Sequence, residues 1–343
     1  MNLLFKFSSL LSLILLLSCK PSVDNKTGSL KIHIGTAKLT GTVTSQNKVP
    51  DISVEIFISH PISGDIVKHK TEVDQAGKFS FDVDVETDLS LIALKTSLNS
   101  EKPLLVNVKS GGTTNIDITY NANSEIETIK TNPEMNKNDV IQSLPIVYRM
   151  LGIYDDRPSP QTQLYDKKPD AHLNFIKTTV ADKLKILEKD SLISKERKEI
   201  LTKDFRLWHY KVRAFNYERS MRANFRQFAK DTSSIPKIHQ IDRSYFTYMK
   251  DLDLNNPQYL ICSSFIDFQK EVLKNETLAI PEIAEQDISS WLKSVKAILS
   301  PAVGFSDGQY YDILAANAFG RQMIEGEKPL TEKQKKNITT YWK

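Results

Sequence analysis

The sequence predicts an α+β protein with two modules, an N-terminal antiparallel β-sandwich over residues 30–120 and an irregular all-α helical domain over residues 139–343. Between residues 30 and 120 the apolar residues recur with a period of two, and beyond residue 139 they recur with the period of a helix. Glycine accounts for only 12 of 343 residues, which argues against glycine-rich phosphate-binding loops and favours helix. The length accommodates about two domains.

The N-terminus carries the features of a secretory signal peptide over residues 1–18, with a basic Lys6 followed by an uncharged apolar run from Ser8 to Leu17. This run is shorter than the about 20 residues that span a bilayer. The sequence Leu-Leu-Ser-Cys that ends at Cys19 resembles the bacterial lipobox, which implies that Cys19 is acylated and becomes the first residue of the mature protein. The alternative is an ordinary signal peptide that contains a cysteine.

The expected acylation of Cys19 predicts the cellular location of the protein. The polar residues 19–29 are expected to tether the fold to a membrane. We therefore expect a lipoprotein of the bacterial cell envelope that is held at the lipid bilayer through acylated Cys19 and faces the periplasm or the cell surface. The formal net charge of +4 is too small to indicate a nucleic-acid partner.

Seven β-rich runs separated by turn residues make up the predicted β-sandwich, because short strands at this spacing are typical of that architecture. Gly77 supplies one of the turns. The order of the strands resembles transthyretin-like or carboxypeptidase-regulatory-like modules, which implies a structural or adhesive role. Residues 121–138 are polar and are predicted to be a linker. The runs are Thr40–Thr44, Ile52–Ser59, Ile66–Val73, Phe79–Val85, Leu89–Leu94, Leu104–Val108 and Thr114–Tyr120.

Eight helices are predicted beyond the linker, separated by polar turns and by prolines such as Pro301. No fixed-period repeat indicates a solenoid. The helices are Asp139–Tyr154, Ala171–Asp190, Ser194–Asp231, Arg243–Leu252, Pro257–Leu273, Ile288–Leu299, Gln309–Ile324 and Thr331–Tyr341.

The longest predicted helix, Ser194–Asp231, mixes aromatic and basic residues. Its apolar residues fall on two stripes, which favours a core helix that packs on two sides over a platform for single-stranded nucleic acid. The remaining face is basic and is interpreted as a solvated edge or, alternatively, as a groove for an anion or a partner. The candidate ligand or partner residues are Trp208, Tyr210, Arg219, Arg222 and Arg226.

No catalytic, cofactor or metal site is predicted. The six histidines form no helical pair of the kind that binds zinc. Nucleophile elbows, Walker loops and dinucleotide fingerprints are absent from the sequence. With Cys19 acylated, the remaining thiol is Cys262, whose apolar neighbours predict a buried and unreactive side chain.

Two segments, Tyr245–Ile261 and Gly320–Ile338, resemble the middle region of TlpA-like, thioredoxin-family (AhpC/TSA-type) envelope lipoproteins. The resemblance implies a thiol-disulfide oxidoreductase in which a thioredoxin fold with a Cys-x-x-Cys centre would follow these regions. The present sequence contains no Cys-x-x-Cys, so no catalytic residue of that family carries over.

Two functions remain open at the level of the sequence. The first is the non-catalytic scaffold portion of such a redox lipoprotein. The alternative is a free-standing lipoprotein that binds an envelope protein, a peptide or a glycan. An enzyme with an unrecognised site is a weaker third interpretation.

Overall fold

A computed structural model describes residues 30–47, 51–153, 162–231, 233 and 235–341. The fold is α+β, with two four-stranded, mostly antiparallel sheets in the N-terminal half and helices after them. The predicted signal peptide 1–18, the tether 19–29 and Cys19 lie outside the described residues. Among the helices that are described, none has the length and apolarity needed to cross a bilayer.

Eight strands form the two sheets, which together are called the sheet region. Each of the seven predicted runs coincides with one of the strands β1 to β7, although Ile52 and Val73 fall just outside β2 and β3. The first sheet has the order β4-β1-β7-β8 and the second has the order β3-β2-β5-β6. The strands are β1 (Ile32–Ser45), β2 (Ser53–His60), β3 (Asp65–Glu72), β4 (Lys78–Thr87), β5 (Leu89–Thr96), β6 (Leu104–Lys109), β7 (Thr113–Tyr120) and β8 (Ile126–Asn132).

Two features of the sheets correct the sequence prediction. The strands β1 and β7 pair in parallel, with Thr40 opposite Asn115, so the expectation of purely antiparallel pairing is wrong for this pair. The segment 121–138, predicted as a linker, contains β8, which pairs with β7 through Ile118 and Ile129. The strand β8 lies at a sheet edge and is mostly polar and exposed, so its composition resembles that of a linker.

The second sheet is covered on both of its faces along β5 and β6, whereas β3 has exposed residues at every second position. Apolar residues of both sheets share one hydrophobic cluster, to which Leu39 of β1 and Val106 of β6 belong. On the opposite face of the second sheet, Leu105 belongs to the cluster of the helices, and Leu89 and Leu91 pack against that cluster. Consecutive residues of β6 therefore pack in two different hydrophobic clusters, since neighbouring side chains of a strand point to opposite faces.

Eight α-helices and two 3₁₀ helices follow in the described part of the chain and are called the helical region. The α-helices are α1 (Lys137–Leu151), α2 (Pro169–Lys189), α3 (Lys195–Arg213), α4 (Tyr217–Phe228), α5 (Ser263–Lys274), α6 (Ile288–Val303), α7 (Gln309–Ile324) and α8 (Glu332–Tyr341). The two 3₁₀ helices are Arg243–Leu252 and Pro257–Ile261.

The predicted single helix Ser194–Asp231 is wrong, because the chain forms α3 and α4 with a break between them. Asn216 has a non-helical backbone, with φ −95° and ψ 43°. The break carries no proline or glycine signal in the sequence. Phe215 instead packs edge-to-face on Phe268 of α5, with the ring centroids 5.2 Å apart. Long-range packing therefore outweighs the local preference for a continuous helix.

Two further helix boundaries differ from the prediction. Residues 257–273 form a 3₁₀ helix and then α5, which meet at Cys262, where the backbone is extended. Pro301, expected to separate helices, lies inside the last turn of α6. Proline is tolerated there because its fixed φ is compatible with a helix. It lacks an N–H group, so one backbone hydrogen bond of the helix is lost.

The helical region is joined to the sheet region by polar contacts as well as by its core. The Asn317 side chain of α7 donates to the carbonyl oxygens of Pro61 (2.7 Å) and Ile62 (3.1 Å) in the turn between β2 and β3. The guanidinium of the buried Arg197 in α3 donates to Asn107 Oδ1 of β6 at 2.8 Å. These contacts fix the helices relative to the second sheet.

Candidate functional site

A groove of about 820 Å³ lies on the helical region, between α4, the irregular segment 236–241 and the residues from Glu271 to Thr277 at the end of α5. It is called the basic groove, because Arg219, Arg222 and Arg226 of α4 line one of its walls. Concave surfaces with convergent polar groups are the usual places for ligands.

The periodicity of α4 sets the orientation of these arginines. Tyr217, Met221 and Phe225 recur every four residues and are buried, and the first two belong to the core of the helical region. The arginines occupy the opposite side of the helix and are exposed. With a rise of about 1.5 Å per residue, successive arginines lie about 4.5 and 6 Å apart along the helix axis.

The carboxylates near the groove leave two of these arginines without a counter-charge. Glu218 pairs with Arg222 at 2.6 Å, and Glu271 pairs with Lys274 at 2.9 Å. Within the described ranges, Arg219 and Arg226 form no ion pair. Glu276 also lines the groove and forms no ion pair among the described residues. The lining thus carries four basic side chains against three carboxylates, and its net charge is positive by one.

The side of the groove next to the core is formed by Tyr217. Its side chain is only 3% exposed, and its ring lies 5.5 Å from those of Tyr245 and His172. The Tyr217 hydroxyl is buried and has no hydrogen-bond partner in the part of the chain that is described. Burial raises the pKa of Tyr217, so the hydroxyl stays protonated at neutral pH.

Another border of the groove is the segment 236–241, which contains neither helix nor strand. Ile238 and Ile241 pack against the core of the helical region, whereas His239 and Gln240 are exposed. The C=O groups of these six residues, and the N–H groups of the five from Lys237 to Ile241, form no hydrogen bond with any residue that the structure describes, and Pro236 has no N–H. The groove is therefore bordered by free main-chain donors and acceptors.

A second depression, of about 510 Å³, lies on the other side of α4 and shares Arg219 with the basic groove. Lys211 and Arg213 also line it. Lys211 is neutralised by Asp267 at 2.7 Å, whereas Arg213 has no ion pair among the described residues. Positive charge therefore continues around α4 from one depression to the other.

The five candidate ligand residues of the sequence do not form one surface. Arg219, Arg222 and Arg226 lie together, but Trp208 and Tyr210 do not line the groove. Tyr210 is buried and stacks on Tyr248 with the ring centroids 4.9 Å apart, and Trp208 packs beside Phe205. The interpretation of these two aromatic residues as part of the same face is thus corrected, since they belong to α3 and pack with the core.

Sequence reasoning missed the residues that the fold adds to the groove, which are the segment 236–241 and Lys274. They come from elements that are distant in the sequence from α4. No local periodicity links them to the arginines, so only the tertiary structure could reveal them.

Cys262 is the cysteine that lies within the described residues, and it is buried as the sequence predicts. Cys262 is buried, and its Sγ atom lies 3.8 Å from the carbonyl oxygen of Ile200. Burial raises the pKa of Cys262 well above its ordinary value, which keeps the side chain in the unreactive thiol form. The prediction of a buried cysteine is confirmed, and its low reactivity stays a prediction. Over the described ranges, no group of three histidine, cysteine, aspartate or glutamate residues is placed to hold a metal ion.

Comparisons of the chain with protein-family models, with curated proteins and with solved structures find no match. The resemblances to TlpA-like lipoproteins and to transthyretin-like modules therefore stay predictions.

Proposed function

We propose that this chain is a lipid-anchored protein of the bacterial cell envelope that binds an anionic ligand in the basic groove. The single observation that supports the proposal is the exposed pair Arg219 and Arg226, which line a concave surface and have no ion-pair partner among the described residues. Arginine suits this task because its planar guanidinium binds carboxylates and phosphates with two parallel hydrogen bonds.

The sheet region fits this function as a support. We infer that its two sheets form a β-sandwich of the transthyretin-like type. The two sheets contribute to one hydrophobic cluster, which is what a sandwich requires. Because the helical region packs on the second sheet, the support holds the groove in a fixed orientation.

Anchoring belongs to the same proposal. Acylation of Cys19 would hold the protein at a bilayer through its acyl chains. The test is membrane fractionation of cells that express the wild type or Cys19→Ser. We expect the wild type in the membrane fraction and the variant outside it. A wild-type protein that fractionates with soluble proteins would contradict the anchor.

Binding is tested with the full acylated chain in detergent, at low salt, against the labelled probes poly-glutamate and a polyuronate. The double variant Arg219→Glu and Arg226→Glu is expected to lose binding of any probe that the wild type retains. The matched control is Lys293→Glu with Lys336→Glu. These two lysines are exposed on α6 and α8 and have no ion pair with a described residue. Equal binding by both double variants would refute the groove as the site.

The scaffold of a TlpA-like redox lipoprotein is the second candidate function, and the inert environment of Cys262 favours it over a redox enzyme. Under this proposal any thiol-disulfide exchange is carried out by cysteines other than Cys262. A thiol-reduction assay on the purified chain should show no more turnover than Cys262→Ser. Turnover by the wild type that the variant lacks would refute it.

A further inference from the structure

We propose that the occupant of the basic groove is an acidic peptide segment, bound in an extended conformation between α4 and the segment 236–241. The inference rests on the proposed function, because it specifies the ligand of the same groove. Its support is the combination of free backbone groups on one border of the groove with a row of arginines on another.

The groove border formed by residues 236–241 offers main-chain groups for pairing from Lys237 onward, since Pro236 has no N–H. The backbone groups of these residues have no hydrogen-bond partner within the described part of the chain, and the side chains of Ile238 and Ile241 hold the segment against the core. An unpaired run of N–H and C=O groups is a template on which an extended peptide adds as a strand. A carbohydrate cannot complete such a ladder, because it lacks the regular alternation of amide donors and acceptors.

The wall formed by α4 matches the charge spacing of an extended peptide. In a strand, every second side chain points to the same side, and these side chains lie about 6.6 Å apart. Arg222 and Arg226 are separated by about 6 Å along the axis of α4, and Arg219 lies about 4.5 Å further on. Carboxylates at alternate positions of the peptide would therefore meet successive arginines, whose long side chains absorb the remaining difference.

The groove lacks the surface that a glycan would use. Sugar rings are commonly bound against aromatic faces. The aromatic side chains that line the groove are Phe215 and Tyr217, which are 6% and 3% exposed. No ring face is available there in the described residues. The exposed His239 adds a polar group, which suits a peptide.

The test measures fluorescence anisotropy of a ten-residue peptide with glutamate at every second position and threonine between, added to the full acylated chain in detergent. Two further versions carry backbone N-methyl groups, one at the odd and one at the even positions. Only one set of N–H groups faces the partner strand. One methylated version should therefore bind about tenfold more weakly, and the other should bind like the parent peptide.

The results separate this inference from the proposed function. One outcome is that the three peptides bind the wild type with equal affinity and that the variant with Arg219→Glu and Arg226→Glu binds none of them. This result would overturn extended pairing and would leave the anion-binding proposal standing. A polyuronate of equal charge that binds more tightly than the peptide would show a glycan occupant and also overturn the inference. Wild-type binding of neither probe would refute both proposals. Binding at low salt that weakens as salt rises, together with selective loss in one methylated peptide, is the expected result.

Discussion

Substitution of Gly320 by alanine tests the contact between the sheet region and the helical region. The contact and the helix propensity predict changes of opposite sign in the free energy of unfolding. Gly320 lies inside α7, where alanine is favoured over glycine by about 1 kcal/mol. On helix propensity alone, Gly320→Ala would therefore stabilise the protein. The tertiary structure predicts the opposite result.

The magnitude follows from the distance to the sheet region. A Cβ atom on Gly320 would lie 2.0 Å from the carbonyl oxygen of Ser63, whereas real Cβ contacts stay above 3.0 Å, so the two atoms must separate by about 1 Å. The carbonyl cannot rotate away freely, because the Glu86 carboxylate accepts hydrogen bonds from the N–H groups of Ile62 and Ser63. Overpacking of this kind costs about 1–3 kcal/mol. Since a fixed backbone atom is involved, we take the upper end and expect a net loss of about 2 kcal/mol.

The assay is equilibrium unfolding in urea, followed by circular dichroism and by tryptophan fluorescence. The matched control is Met323→Ala, a change on an exposed position of the same helix that should stay within about 0.5 kcal/mol of the wild type. If Gly320→Ala is as stable as the wild type or more stable, α7 does not rest on the turn between β2 and β3. The description of the contact between the two regions would then be wrong.

Three further outcomes are expected. The Cys262 thiol of the folded protein should react with a disulfide reagent about a thousandfold or more slowly than in urea, since it becomes accessible only on unfolding, and a fast native reaction would contradict its burial. Burial lowers the pKa of His209 from 6.5 to about 4, so the unfolded state binds more protons between these values and stability should fall as the pH drops from 6.5 to 4. His209→Gln should reduce this pH dependence, and an unchanged slope measured by urea unfolding would assign it to other groups. Asn107→Ala removes the acceptor of the buried Arg197 guanidinium and should cost about 1.5–3 kcal/mol in the same assay, whereas Asn107→Asp should keep most of the stability.

The sheet region shows how far the sequence predicts the fold. The run Phe79–Val85 was recognisable because one face of β4 is buried, which imposes the alternation of apolar and polar residues. The strand β8 was missed because it lies at an edge and is mostly exposed. Pattern-based reasoning thus depends on burial, and it fails where a strand is held mainly by backbone hydrogen bonds.

The candidate site shows the same limit. The arginine row of α4 was predictable, since it follows from the spacing of buried residues within a single helix. The break after Arg213 was not, because it depends on the packing of Phe215 against Phe268. The segment 236–241, which also borders the groove, has no pattern that points to α4. A groove between segments distant in the sequence requires the tertiary structure.

The parallel pairing of β1 with β7 has a consequence for how the chain folds. The pairing joins residues 75 positions apart, such as Thr40 and Asn115, whose side chains also share a hydrogen bond. The first strand to leave the ribosome therefore cannot obtain its second neighbour until the seventh has been made. Contacts of such large sequence separation slow folding, because a long loop must be ordered before they form. In the interval β1 has an open edge that can pair with other chains. The order of synthesis thus differs from the order of the strands in this sheet, and the second edge of β1 is covered only after residues 113–120 have been made.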